Sequence, residues 1–357
     1  LVLVVDHELA AAFGDRLAPF ADLRVVRCTA DVAQVDPTGV RALVIRTEQR
    51  VDAHLVARFP DLEVIVTASA GRDHVAEVDV PVLDARGGNA DGVADWTVLA
   101  LLAQVGMAGP RPTVGVLGCG AVGGRVLDRL AALGFPTVAV DPPRARRAPG
   151  FVSAPVEALY DCEVLSLHVP LTRAGEADAT EGWLDAERLA CWRRPFHLLS
   201  AARGEVIDED ALLAALRDGR VRSFRADVYR REPEPRADVT AAALLATPHV
   251  AGRSDDGRLG LQVRALQALC GHFGWSIDLP SELAPQVVLP PPAPEALLAW
   301  LDGLTGFGAL DAALRASPER FCALRAGHSR RDLRRLCVRG GTPAVREAVR
   351  ALGLGVA

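Results

Sequence analysis

The sequence predicts an α/β protein built on open parallel sheets, and three observations carry that reading. Short apolar strands alternate with helical segments over the first 85 or so residues, at Leu1–Val5, Arg24–Cys28, Ala42–Thr47, Glu63–Ser69 and Pro81–Asp84. A strand, a glycine turn, a helix and a second strand ending in an acid follow one another from Thr113 to Asp141. Six strand-like runs, at 113–118, 137–141, 163–169, 196–202, 223–229 and 245–250, then make up the full count of a Rossmann-type doubly wound dinucleotide fold.

In the first region two polar turns follow strands: Arg46-Thr47-Glu48-Gln49-Arg50, and the stretch from Thr67 to His74. Ligands of open α/β sheets sit at such carboxyl ends, although Arg46 and Arg50 would equally suit a solvated loop. After Arg86-Gly87-Gly88-Asn89, a helical run from Ala90 to Gln104 should cross to the next domain.

The central motif gives each residue a job. Gly118 allows a tight turn, Gly120 lets backbone N–H groups approach a pyrophosphate, and Gly123 lets helix and strand pack closely. Ala121 and Val122 open the helix whose N-terminus faces the phosphates. Asp141 can accept hydrogen bonds from ribose hydroxyls and repels a 2′-phosphate, which favours NAD; Arg144, Arg146 and Arg147 are the residues that could welcome that phosphate instead.

Each of the last three strands ends in a group with chemistry: Arg203, Glu232 and His249. Singly they read as a surface cation, a loop carboxylate and a core-edge histidine. Together they converge on the face where the glycine turn puts a cofactor. Beyond them, a Leu- and Ala-rich helix from Arg258 to Phe273 should return to the first domain, and Leu289–Pro294 reads as a stiff linker. The rest holds a strand-like stretch over 332–338 and a helix from Pro343 to Leu352, too small a body to stand alone, so a second subunit is the expected cover for its apolar face.

Composition narrows the classes. The 357 residues are 50% hydrophobic with a net charge of −5, which argues against a nucleic acid or a membrane as the main partner. All basic side chains are arginine. Seven scattered cysteines without a CxxC pair or a Cys/His cluster fit a reducing cytoplasm and no metal site. Asp6 and Glu8 interrupt the apolar start, so it reads as a first strand and not a signal peptide, and no run reaches membrane-spanning length.

The motifs at Ile45-Arg46-Thr47, Thr67–Val75, Gly88-Asn89-Ala90, Gly118–Gly123, Asp141–Arg144, Ala202–Asp208, Arg231–Glu234 and Thr247–Gly252 resemble the D-isomer-specific 2-hydroxyacid dehydrogenases. Asp141-Pro142-Pro143-Arg144, the Ala70–Val75 turn and the C-terminal appendage are similar to the erythronate phosphate branch. The resemblance implies a flavodoxin-like substrate domain (1–88 with 252–283), an NAD-binding domain (89–251) and a small α+β C-terminal domain (284–357) that forms a homodimer. It implies oxidation of 4-phospho-D-erythronate to the 2-oxo acid in pyridoxal phosphate synthesis, with His249 as general acid/base, Glu232 holding its ring and Arg203 holding the substrate carboxylate. Cofactor contacts are implied at Val169, Ala201, Asp227 and Gly252 besides the glycine turn, and substrate contacts at Arg46, Thr47, Thr67 and Arg253. Departures from the branch stand at Ser200, Arg253, Asp91-Gly92 and Asp95, while Arg330, Arg331 and Arg334 are cations that could reach a neighbouring active site. Another 2-hydroxyacid dehydrogenase, such as a phosphoglycerate type, or an NAD-sensing binding protein remain the alternatives.

Overall fold

Residues 1–107 and 109–357 are described by the computed structural model, and they fall into two units, 1–89 with 256–283 and 90–255 with 284–357. In the first unit, β1 (Val2–Asp6), β2 (Asp22–Val26), β3 (Val40–Ile45), β4 (Val64–Thr67) and β5 (Val82–Asp84) form a parallel sheet in the order β2-β1-β3-β4-β5. That is the flavodoxin-like order. Strands β1, β3 and β4 are apolar on both faces because both faces are covered. Leu3 and Val5 meet Leu9, Phe13 and Leu17 of one helix and Leu266 and Leu269 of another, while Val2 and Val4 meet Val32, Leu55 and Phe59. The second of those helices, Asp255–Phe273, is the predicted return to the first unit. Gly88 and Gly260 fix its position, since a Cβ on Gly260 would lie 2.2 Å from the Gly88 carbonyl oxygen.

In the second unit β6 (Val114–Leu117), β7 (Thr137–Val140), β8 (Val164–Leu167), β9 (Phe196–Ser200), β10 (Val221–Ala226) and β11 (Leu245–Ala246) make a six-stranded parallel sheet. Its order is β11-β10-β9-β8-β6-β7. All six predicted strands are present, but several are shorter at their carboxyl ends. Beyond β7, where a doubly wound sheet continues outward, the chain at Phe151–Pro155 bonds to β7 through Ala154 N–H to Ala139 O at 2.9 Å. The topological switch lies between β6 and β8, at Gly118.

A three-stranded parallel sheet, β12 (Gln286–Val288), β13 (Leu336–Val338) and β14 (Gly355–Val356), forms the C-terminal part. It has its own sheet, yet its core is shared with the nucleotide-binding part of the same unit. Leu297, Leu301, Phe307, Val345 and Val349 pack in one cluster with Val93, Trp96 and Leu99 of helix Ala90–Val105. That helix is hydrophobic all round because it has neighbours on every side. Its apolar faces therefore find cover within the chain. The predicted strand over 332–338 resolves into a short turn, Leu333–Arg335, followed by β13. Among the described residues no single helix is long and apolar enough to cross a membrane.

Candidate active site

The glycine turn after β6 has the shape a dinucleotide needs. Gly118 has φ +86°, and a Cβ there would strike the His168 carbonyl carbon at 2.7 Å. A Cβ on Gly123 would stand 1.9 Å from Gly118 O, so helix Ala121–Ala132 leaves the strand at the closest possible approach. Around Gly120 the space is open, and no side chain caps the helix. Its first N–H groups remain available to phosphate oxygens, so the turn fits the pyrophosphate of a dinucleotide.

Asp141 closes β7 as predicted and does more than face a ribose. Its Oδ1 accepts from Arg144 N–H at 2.8 Å, capping helix Pro142–Arg147, and its Oδ2 accepts from Cys119 N–H at 2.8 Å. The carboxylate ties the acid to the glycine turn and keeps lone pairs for hydroxyl donors. Arg144 donates to Cys119 O and lies over the Phe151 ring, and Arg146 pairs with Asp178. Val169 and Ala201 follow β8 and β9 directly, at the same carboxyl edge of the sheet as the glycine turn. Beside Val169, burial pushes the His168 ring down to about 4, and its Nε2 lies 2.8 Å from Ser166 Oγ.

His249 and Glu232 meet directly. His249 Nδ1 lies 2.6 Å from Glu232 Oε2, with the side chains 29% and 22% exposed. Burial alone would raise the Glu232 carboxyl, but the His249 charge and hydrogen bond and the Tyr229 N–H hold it below its usual range. His249 is not on a strand. β11 ends at Ala246, and His249 adopts φ +53°, a left-handed conformation held by its N–H to Asp227 O at 2.8 Å. Gly204 brings the third residue in: a Cβ on it would lie 1.9 Å from the Tyr229 carbonyl carbon, so the backbone after Arg203 runs against the start of the Glu232 loop. Arg203 Nη1 donates to Ala202 O at 2.8 Å.

Asp227, expected on the cofactor side, is turned inward. It is 1% exposed, and its oxygens accept from the Thr247 hydroxyl at 2.6 Å and from the Val250 and Ala251 N–H groups at 2.8 Å. Burial raises this carboxyl to about 6 against the pull of the His249 charge and those donors. Its role is to clamp the loop that carries His249 and Gly252. Trp96 Nε1 supports the clamp by donating to Thr247 Oγ1 at 3.0 Å. The sequence showed an acid beside a strand end, which suits a buried structural carboxylate as well as a cofactor contact, but not the donors it holds.

The substrate residues expected in the first unit also differ from expectation. Arg46 is held by three carboxylates, Asp6 at 2.7 Å, Glu8 at 2.9 Å and Glu48 at 3.6 Å, so its charge is already matched. Thr67 is buried, its hydroxyl 2.8 Å from Ser69 Oγ and 2.9 Å from His74 Nε2. Burial holds His74 below its usual value. Thr47 and Arg50 are exposed on the loop after β3. In the second unit, Arg253 Nη2 donates to Ala326 O at 3.2 Å, and the departing residue Ser200 is fully buried. Among the described residues no group of His, Cys, Asp and Glu side chains is placed to hold a metal ion.

Comparison with known proteins agrees with this geometry. Residues 102–251 match the family model of the D-isomer specific 2-hydroxyacid dehydrogenase, NAD binding domain, so NAD is the dinucleotide. An erythronate-4-phosphate dehydrogenase of Salinibacter ruber is 39% identical over 69% of this chain and 64% of its own length. One from Pseudomonas paraeruginosa is 35% identical over 77% of this chain and 70% of its own length. The chain thus spans about two thirds of these relatives. The fold matches that of an Aquifex aeolicus D-lactate dehydrogenase solved with NAD and lactic acid, with a TM-score of 0.59 and 19% identity over 77% of this chain and 96% of that one. The chain belongs to the erythronate-4-phosphate dehydrogenase family, within the D-isomer-specific 2-hydroxyacid dehydrogenases.

Proposed function

We propose that the protein oxidises 4-phospho-D-erythronate at the hydroxyl carbon next to the carboxylate, and the direct His249–Glu232 pair, beyond the carboxyl ends of the sheet whose β6 carries the glycine turn, is the observation that carries this reading. NAD, when bound, supplies the hydride acceptor. Gly118, Gly120, Ala121, Val122 and Gly123 hold its phosphates and Asp141 its ribose, with Val169, Ala201 and Gly252 along the same edge. With Nδ1 engaged by Glu232, the His249 Nε2 is the atom left to take the substrate hydroxyl proton, and Glu232 stabilises the imidazolium that results. Arg203 offers a planar fork for the substrate carboxylate, which fixes the carbinol carbon in place. In the first unit Thr47 and Arg50 are exposed on one loop, and Arg46 shapes that loop from behind. The C-terminal part pairs two copies of the chain, with Val287 and Leu289 at the exposed edge around β12. All seven cysteines are free, which suits the cytoplasm.

The test is NADH formation with 4-phospho-D-erythronate, D-3-phosphoglycerate and D-lactate, supplying a 2-oxo acid so that retained reduced cofactor can turn over. Turnover confined to the erythronate phosphate and abolished in His249→Ala is expected. Turnover of another acid moves the substrate, and NAD binding without any turnover replaces the reading with a sensor.

A further inference from the structure

The loop that carries His249 is held from two sides. Asp227 takes the N–H groups of Val250 and Ala251. The carbonyl side is held by an arginine 79 residues further on, since Arg330 Nη2 donates to Ala251 O at 2.9 Å and to Gly92 O at 2.8 Å. The Arg330 carbonyl accepts from Asp255 N–H at 2.8 Å, so the same residue also fixes the end of the loop.

Arg330 is fully buried. Around it stand Asp95 at 3.6 Å, Asp332 at 3.8 Å and the face of Phe307 at 5.1 Å. Asp95 is itself buried, shared with Arg129 at 3.1 Å, and Asp91 binds Arg129 and Arg334 at 3.1 and 3.0 Å. A buried ion cluster of this kind adds little net stability over an apolar one of equal volume. What a guanidinium supplies that an apolar group cannot is a planar fork whose Nη1 faces the acids while the two N–H bonds of Nη2 reach the carbonyls of two different elements at once.

We infer that Arg330 is a positioning residue for His249: by anchoring the Ala251 carbonyl to helix Ala90–Val105, it holds the loop in the shape that sets the imidazole against Glu232. The inference rests on the dehydrogenase reading for its kinetic consequence, not for its structural one.

Two substitutions disturb the anchor in different ways. Gly92→Ala keeps every charge and places a Cβ 3.1 Å from Asp332 Oδ1 and 3.2 Å from both Ala251 O and Arg330 Nη2, so the anchor and its acid must shift by a few tenths of an ångström. Arg330→Lys keeps the charge and removes the fork. Asp332→Asn is the control, because it weakens the ion cluster and leaves the bond to Ala251. The readouts are the His249 ring resonances in the NMR spectrum without substrate, assigned through His249→Gln, together with kcat, KM, NAD affinity and Tm. Gly92→Ala and Arg330→Lys are expected to move the His249 resonances and lower kcat by about tenfold, with substrate KM and NAD Kd within about threefold. Asp332→Asn is expected to lower Tm while leaving kcat and the resonances in place. The inference is overturned if Arg330→Lys, or Gly92→Ala where the lysine variant does not fold, loses Tm as the control does but keeps kcat and the His249 resonances. If the parent oxidises none of the acids while the resonances still move, the dehydrogenase reading fails and the anchor stands.

Discussion

Asp6 and Asp227 are the same residue at the same kind of place, the carboxyl end of a parallel strand, and both are buried, at 0% and 1% exposed. Their partners differ. Asp6 holds the Arg46 guanidinium at 2.7 Å and the Gln49 amide at 2.8 Å. Asp227 receives only uncharged donors, the Thr247 hydroxyl and two backbone N–H groups. A cation partner matches the buried charge and is consumed in doing so, which leaves a fixed turn. Neutral donors leave the charge unmatched and its proton affinity raised to about 6, within reach of physiological pH. One sheet spends an arginine on architecture; the other holds its buried acid with neutral donors alone.

That contrast is broken most severely by Arg46→Ala, which strands Asp6 in the interior and is expected to cost about 3–5 kcal/mol in chemical denaturation. A substrate-binding Arg46 would instead leave stability intact and raise KM. Arg203→Lys is expected to leave Tm unchanged and lower kcat/KM by about a hundredfold, since lysine lacks the planar fork. Asp227→Asn comes next, with a loss of about tenfold in kcat at pH 8 through a loosened loop. It also removes a pH dependence whose sign is fixed. In the parent, protonation of Asp227 places a proton on an oxygen that already accepts from a backbone N–H of the His249 loop, so kcat falls as pH drops through about 6. Stability runs oppositely: a carboxyl raised from 3.8 holds its proton more tightly when folded, so its contribution is full below 3.8 and is lost as pH rises through about 6. Rate profiles and denaturation between pH 4 and 8 should both flatten in the Asn variant, and an unchanged acid limb would assign it to another group. Arg50→Ala should have the smallest effect, raising KM for the phosphorylated acid about fivefold while an unphosphorylated analogue is unaffected.

What could be read from the sequence was what is local. Glycine spacing after an apolar strand specified the turn at Gly118–Gly123, and Glu232 and His249, each following a strand, do meet, because parallel strands bring their carboxyl ends together. The loop at Arg46–Arg50 showed its cations but not the acid at Asp6 that claims one of them, 40 residues earlier. Asp91 and Asp95 on one side, and Arg330 and Arg334 on the other, each stand out in the sequence. Nothing in a single chain reveals that they pair across more than 230 residues. The C-terminal helices advertised an apolar face without its cover. Helix Ala90–Val105 held the answer, since beyond Asp91 and Asp95 it is apolar almost throughout and requires neighbours on every side.

The anchor at Arg330 also has a consequence in time. At about 5–20 residues per second, the ribosome needs roughly 4–16 s to pass from Ala251 to Arg330. During that interval the nascent chain carries His249 and Glu232 without the side chain that fixes the loop between them, and without the C-terminal residues that complete the core around helix Ala90–Val105. The loop therefore takes its anchored shape only after Arg330 has been added.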